Sequence, residues 1–200
     1  DMTKFPAQLD FSAELAKARS VKPDAVFVFY PGKHGIQFFK QYSQSGLKGS
    51  IPLYSVFTVD SLSLPRLGDL AEGSLMTQFW APDLPTPVTK IFVQDYRKKY
   101  GRYPTFYAAQ SYDTIMLIDS AVRAVNGDLS NKDGMRAAMR RAAFPSVRGP
   151  FSYGNNHMPI QNFYLRKVVK DAEGNYTTSI VKTVYTNHQD PYAKDCKMSW

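Results

Sequence analysis

The sequence predicts an α/β fold in which parallel strands are joined by helices. The first observation is that residues 1–60 alternate helical and strand patterns in the order α-β-α-β. This alternation is typical of parallel strands joined by right-handed crossovers. The second is that helical patterns dominate residues 77–149, between extended segments rich in proline and glycine. The order therefore predicts a chain that visits a second lobe and returns.

The first 60 residues contain four predicted elements. These are a helix over 12–21, a strand over 25–30, a helix over 35–45 and a strand over 51–56. Ser12 suits the N-cap of the first helix, and Gly46 ends the second. Because residues 25–29 are all apolar, we expect the first strand to be buried on both faces, as in a parallel sheet covered by helices.

The remaining elements are predicted from proline, glycine and capping residues. Residues 64–87 hold four prolines and one short apolar run, which predict a strand over 74–80 and otherwise loop. Helices are predicted over 87–100, 105–125 and 132–143, and a hairpin is predicted from strands over 162–169 and 178–185. Thr86 and Thr105 stand where N-caps are favoured, and residues 130–133 (SNKD) resemble a capping box.

Composition and motifs exclude several function classes. The 200 residues are 44% hydrophobic and 21% charged, which is ordinary for a globular protein. The net charge of +8 attracts anions, but the basic residues do not cluster as in a nucleic-acid footprint, so no nucleic acid is predicted as a partner. Cys196 is the only cysteine, so no intrachain disulfide is possible.

Catalytic and cofactor signatures are absent from the sequence. It contains no phosphate-binding glycine loop, no nucleophile elbow and no zinc-protease motif. The three histidines lie far apart, without metal-ligand spacing. We therefore predict a protein that is not an enzyme and uses neither cofactor nor metal. For His34, a hydrogen-bonded structural role is favoured over a general base.

An ordered series of segments carries a resemblance to a known family. The segments are residues 9–55, 72–122, 147–153 (VRGPFSY) and 190–198 (DPYAKDCKM). Together they resemble the C-terminal half of type I periplasmic solute-binding proteins, of the leucine/isoleucine/valine-binding type that serves ABC importers. The resemblance covers nearly the whole chain and implies that an N-terminal half belongs with it.

The resemblance implies a fold of two Rossmann-like lobes, with parallel sheets flanked by helices and a hinge between the lobes. This chain would be a partial copy of that fold. Residues 1–76 would form part of lobe 2, residues 77–149 the returning part of lobe 1, and residues 150–200 the C-terminal part of lobe 2. The segments TQFWAP and RGPFSY would be hinge crossings.

The implied function is capture of a small-molecule carboxylate by closure of the lobes. The partners would be the membrane permease and ATPase subunits of an ABC importer. The location would be periplasmic, with a signal peptide that this chain does not contain. Two alternatives stay open: a branched-chain amino acid binding protein, and a ligand-sensing regulatory domain of the same fold.

The predicted binding residues begin where the first strand ends. In open α/β sheets, ligands bind beyond the carboxyl ends of the strands. The residues at that end are Tyr30, Pro31, Gly32, Lys33 and His34. The resemblance implies an aromatic wall from this loop, a role that fits Tyr30. Packing of Tyr30 in the core is the alternative.

The end of the next strand bears on the ligand class. In the amino-acid-binding relatives, a glutamate in the matching loop pairs with the ligand ammonium, and Phe57 stands at about that position here. An aromatic or hydrophobic carboxylate is therefore the expected ligand, its carboxylate held mostly by lobe 1 groups outside this chain. The resemblance adds Phe79, Trp80 and Tyr107 to the cleft. An alignment shifted slightly would instead give Asp60 the acidic role.

Overall fold

The computed structural model describes residues 2–4 and 6–198, and the chain divides into two compact units. The described residues of Asp1–Gln78 and Leu165–Lys182 form the first unit. Those of Phe79–Tyr164 and Thr183–Trp200 form the second. The chain thus passes between the units three times. The α/β class predicted from the sequence is confirmed.

The first unit is built on parallel strands joined by helical crossovers. Its elements are α1 (Ser12–Val21), β1 (Val26–Val28), α2 (Lys33–Gln44), β2 (Leu53–Val56), α3 (Leu64–Leu67), a 3-10 turn (Gly68–Leu70) and β3 (Leu75–Gln78). β1 pairs in parallel with β2, in the register Val26 opposite Leu53. β2 pairs in parallel with β3, in the register Tyr54 opposite Leu75. The predicted parallel pairing of the first two strands is confirmed.

Aromatic and aliphatic side chains from α1, α2 and the strands form the core of the first unit. Phe11 and Phe39 are fully buried, and Phe38 is 3% exposed. The ring centroids of Phe11 and Phe38 lie 5.4 Å apart in an edge-to-face arrangement. Burial of each such side chain contributes about 1.5–3 kcal/mol, so this cluster fixes α2 against the sheet.

Two predictions about the first unit were wrong. The first strand is not buried on both faces, because Phe27 is 66% exposed and Phe29 is 57% exposed. β1 is an edge strand of the sheet, and alternation along the strand turns Phe27 away from the face on which Val28 is buried. The segment predicted as loop after residue 64 contains α3, whose first turn accommodates Pro65.

The second unit is mostly helical. It contains α4 (Pro87–Tyr100), α5 (Phe106–Ala124), α6 (Lys132–Arg141) and the short strand β4 (Ser152–Tyr153). The predicted N-caps Thr86 and Thr105 are confirmed, because each accepts a hydrogen bond from a backbone N–H three residues ahead. At α6 the N-cap is Asn131, the second residue of the predicted capping box, and it accepts from the Gly134 N–H. The N-cap predicted for α1 of the first unit was also wrong, by one residue, because Ser12 is the first helical residue and Phe11 is the N-cap. Within residues 2–4 and 6–198, no helix is long and apolar enough to cross a membrane.

A long strand pair, β5 (Pro159–Lys170) and β6 (Tyr176–His188), runs through both units. The end of β5 joins the first unit's sheet, where Gly73 donates to the Val168 carbonyl and Val168 to the Ser74 carbonyl. The start of β5 pairs antiparallel with β4 in the second unit.

The contact-defined units divide the C-terminal part of the chain differently from the expected lobes. Residues 150–164 and 183–200 group with residues 79–149, because the hairpin is long enough to leave one unit and enter the other. The segment RGPFSY lies wholly within the second unit, and the return crossings fall after Tyr164 and Lys182. The assignment of these segments to the lobes of the family stays a prediction.

Candidate ligand-binding site

The loops that follow β1 and β2 are fastened to each other at the carboxyl edge of the sheet. The Tyr30 N–H donates to the Thr58 hydroxyl at 3.1 Å. A Cβ atom on Gly35 would lie 2.4 Å from the Tyr30 carbonyl oxygen and 2.7 Å from Thr58 Cγ2. Only glycine therefore allows α2 to begin so close to both loops.

Phe57 follows β2 in a backbone conformation that aromatic residues rarely adopt. Its φ is +52°, in the left-handed region. For a residue with a Cβ atom, this conformation costs about 1–2 kcal/mol. Its ring meets the exposed ring of Phe29 edge to face, with 6.1 Å between centroids. Such strain is concentrated at functional sites, so Phe57 is the strongest site candidate in the first unit.

Tyr30 both packs on the core and lines a cavity, the two alternatives considered from the sequence. Its ring centroid lies 4.8 Å from that of Phe11 and 5.2 Å from that of Phe38, so one face packs on the core. Tyr30 also lines a cavity of about 470 Å³, together with Phe29 and Pro31. Its role as a ligand wall stays a prediction.

The remaining residues of this loop form the start of α2. The Nε2 atom of His34 lies 3.0 Å from the carbonyl oxygen of Pro6, and the side chain is 4% exposed. This is the hydrogen-bonded structural environment favoured from the sequence. Gly32 is the N-cap, with φ +61°, and Lys33 is exposed at the first helical position. The positive end of the helix and Lys33 together favour an anion here.

Acidic groups do not line this cavity. Its lining in the described chain is residues 2–4, 27–31 and 34, which include Lys4 and His34 but no carboxylate. Asp60, the alternative acid, is engaged in the turn before α3. Its Oδ1 accepts from the backbone N–H groups of Leu62 at 2.9 Å and Ser63 at 3.1 Å.

Two of the three candidates from the second unit, Phe79 and Trp80, belong to its aromatic core. Phe79 and Trp80 are 4% and 1% exposed. The ring centroid of Phe106 lies 6.2 Å from that of Phe79 and 4.1 Å from that of Tyr107. The candidates Phe79 and Tyr107 therefore contact the same ring. Tyr107 is 49% exposed. The binding roles of all three candidates stay predictions.

A buried ion pair in the second unit was not identified from the sequence. The Nε atom of Arg148 donates to Asp113 Oδ2 at 2.7 Å, and both side chains are at least nine-tenths buried. One sequence signal was available. Asp113 lies on the same face of α5 as the buried Phe106 and Ala109, and an acid in an apolar stripe needs a partner.

Comparisons with known proteins identify the family. A family model described as periplasmic binding protein matches residues 3–174. The chain therefore belongs to the periplasmic binding protein family, and its fold is that of the type I members, as predicted.

A curated relative is Leu/Ile/Val-binding protein homolog 6 of Brucella melitensis. It is 32% identical over 193 residues, which cover 92% of this chain and 48% of that protein. The chain thus spans about half the length of the curated relatives it matches.

Two solved structures are similar over almost the whole chain. One is an ABC transporter solute-binding protein from R. palustris in complex with benzoate, with a TM-score of 0.86 and 31% identity, covering 98% of this chain and 52% of that chain. The other is a solute-binding protein from Rhodopseudomonas palustris BisB5 in complex with 3,4-dihydroxybenzoic acid. Its TM-score is 0.79 and its identity 33%, covering 91% of this chain and 50% of that chain.

Proposed function

We propose that this chain is part of the substrate-binding component of an ABC importer that captures a small aromatic or hydrophobic carboxylate. The observation that carries the proposal is Phe57, held at φ +52° against the ring of Phe29. Phe29 in turn lines the cavity, and none of the described residues that line it carries a carboxylate. The benzoate and dihydroxybenzoate complexes of similar proteins support the same ligand class. The component acts in the periplasm with permease and ATPase subunits, and with the N-terminal half that the family implies.

The chemistry at Phe57 disfavours an α-amino acid. An ammonium group buried without a partner carries a large desolvation cost, which a carboxylate normally offsets. Phe57 offers only an apolar face, and Asp60 Oδ1 already accepts two backbone hydrogen bonds. An aromatic ring, by contrast, gains about 0.5–1.5 kcal/mol per ring pair beyond area burial.

The residues proposed for ligand binding are those predicted from the sequence. They are Tyr30, Pro31, Gly32, Lys33, His34, Phe57, Phe79, Trp80 and Tyr107. Lys33 and the amino end of α2 supply positive potential for an anion, and the N-terminal half supplies most of the direct carboxylate contacts. Capture follows because the ligand has a higher affinity for the closed state and shifts the population toward it.

A second candidate is binding of a branched-chain amino acid. The observation that favours it is the 32% identity to a protein named for leucine, isoleucine and valine binding. That candidate requires an acidic group near the ligand amine. The described residues that line the cavity around Phe29 and Tyr30 supply none, so the acid would have to come from another part of the protein.

A thermal-shift panel on the two-lobe protein separates the candidates. The ligands tested are two aromatic acids, benzoate and 4-hydroxybenzoate, and two branched-chain amino acids, leucine and valine. A ligand at about 100 times its Kd adds about 2.7 kcal/mol of stability. We expect the aromatic acids to raise the midpoint and the amino acids to leave it unchanged. A rise with leucine or valine alone would overturn the aromatic proposal.

A substitution at Phe57 adds an independent readout. Phe57→Glu places a carboxylate beside an anionic ligand, so we expect affinity for benzoate to fall by at least about tenfold, or ~1.4 kcal/mol. Tyr192→Glu makes the same kind of change at a 74% exposed residue of the second unit and is the matched control. Equal affinity in both variants would remove Phe57 from the site.

A further inference from the structure

Arg148 is buried in the second unit between two aromatic rings and two polar partners. Its guanidinium carbon lies 4.2 Å from the ring centroid of Phe151 and 5.7 Å from that of Phe79. Its Nε donates to Asp113 Oδ2 at 2.7 Å, and its Nη1 donates to Gln161 Oε1 at 3.0 Å. The arginine is 6% exposed, so these four contacts replace its hydration.

The carboxylate of Asp113 fixes the segment that leads into Arg148. It accepts from the Ser146 hydroxyl at 2.6 Å and from the Val147 N–H at 2.9 Å. The Val147 carbonyl in turn accepts from Thr89 of α4 at 2.6 Å. Three consecutive residues are therefore tied to α5, and one of them is also tied to α4.

The partners of Arg148 lie where the chain enters and leaves the second unit. Phe79 is the first residue of this unit after β3, and Gln161 lies on β5 shortly before that strand leaves it. The neighbouring Asn162 accepts from the N–H of Asn187 at 2.9 Å, on the part of β6 that returns to the unit. Arg148 thus stands at the meeting point of segments distant in sequence.

We propose that Arg148 is a positioning residue that joins these connecting segments into one rigid block. The planar guanidinium has donors in fixed directions and stacks on aromatic faces, so it orients several partners at once. The link from this block to ligand capture rests on the proposed function, whereas the block itself does not.

Hydrogen exchange on the unliganded two-lobe protein tests the proposal. In Arg148→Met we expect amide exchange to accelerate by about tenfold or more in residues 79–81, 146–151 and 161–164 together, relative to α6. Arg123→Met is the matched control. It removes the exposed Asp119–Arg123 pair of the same helix, α5, and we expect exchange in those three segments to stay within about twofold of the unsubstituted protein.

A second variant keeps the test decisive if Arg148→Met does not fold. Arg148→Lys retains the charge and reaches Asp113, but a single ammonium cannot also orient Gln161 and stack flat on Phe151. We expect residues 146–151 to keep their protection and residues 161–164 to exchange at least about threefold faster. Faster exchange confined to residues 146–151 in either variant would overturn the proposal and leave Arg148 a local contact.

A benzoate titration of the unsubstituted protein separates this proposal from the proposed function. If benzoate gives no thermal shift while the three segments respond together to Arg148→Met, the ligand proposal fails and the rigid block stands. If benzoate binds and the three segments respond independently, the block is overturned and the ligand proposal stands.

Discussion

Aromatic residues follow strands in both units, but they lie in opposite environments. After β1 and β2, Phe29 is 57% exposed and Phe57 has a φ of +52°. After β3, Phe79 and Trp80 are almost completely buried, and each packs on another ring. Aromatic residues at a strand end therefore stabilise the core of the second unit, whereas in the first unit Phe29 is exposed and the half-buried Phe57 has a strained backbone.

The largest expected effect is on the buried side of this comparison. Trp80→Ala leaves a cavity beside Phe92, and we expect a loss of about 3–5 kcal/mol in the free energy of unfolding. Trp80→Phe keeps most of the apolar volume and is the matched control, with a smaller loss. Urea denaturation measures both. A loss below about 1 kcal/mol for the alanine variant would show that Trp80 is not a core residue.

A pair of glycines tests how tightly the exposed site is built. Gly35→Ala forces its new methyl group against the Tyr30 carbonyl and Thr58, so we expect a loss of about 1–3 kcal/mol from overpacking. The variant should also bind benzoate more weakly, because the loops after β1 and β2 must separate.

Gly49→Ala is the control for that substitution. Gly49 is exposed and has φ +88°, and a Cβ atom added there would meet nothing within 4 Å, so only backbone strain of about 1–3 kcal/mol is added. Isothermal titration and thermal melts report both quantities. If the two variants lose the same benzoate affinity, the close approach at Gly35 does not support the site.

The elements of the fold were largely predictable from local pattern, whereas the environment of the site residues was not. Pro87–Tyr100 has a capping threonine, a proline in its first turn and a terminal glycine, and its bounds were predicted correctly. The exposure of Phe27 was missed, because five consecutive apolar residues look the same in an edge strand and in a central one.

The left-handed φ of Phe57 and the pairing of Asp113 with Arg148 illustrate a second limit. Both depend on contacts between segments that are distant in sequence. No local propensity encodes a close approach of two loops, and no spacing joins an acid in α5 to an arginine before β4. The sequence could indicate which residues were unusual at their positions, but not what they contact.

Phe57→Gly is expected to change binding more than stability. Glycine removes the strain at φ +52°, which offsets the lost contact with Phe29, so we expect unfolding to change by less than about 1 kcal/mol. Affinity for benzoate should fall by at least about tenfold. Trp80→Ala should show the reverse pattern. Destabilisation by Phe57→Gly comparable to that of Trp80→Ala would erase the distinction between the two strand ends.

The smallest expected effect comes from a polar cluster on the exposed surface of the first unit. Asp69 accepts hydrogen bonds from the Tyr176 hydroxyl and from the Lys170 ammonium. The bond from Tyr176, followed by that from Lys170, lowers the pKa of the Asp69 carboxyl below its ordinary value. The charged side chains are solvent-exposed, Asp69 by 79% and Lys170 by 43%, so the contribution of this cluster to stability is small.

The lowered pKa of Asp69 fixes the direction of the pH dependence. A carboxyl whose pKa is depressed in the folded state stabilises the fold at pH values above its unfolded-state pKa of about 3.9, and this contribution is lost as pH falls through the folded-state pKa.

Tyr176→Phe removes the principal hydrogen bond to Asp69. We therefore expect the melting midpoint of this variant to depend less steeply on pH below about 4 than that of the unsubstituted protein. Tyr192→Phe, at a 74% exposed position, is the control and should keep the original slope. Identical slopes for the two variants would show that Tyr176 does not hold the Asp69 carboxylate. Because Tyr176, Asp69 and Lys170 are not among the proposed site residues, we expect Tyr176→Phe to leave benzoate affinity unchanged, in contrast to substitution of Phe57.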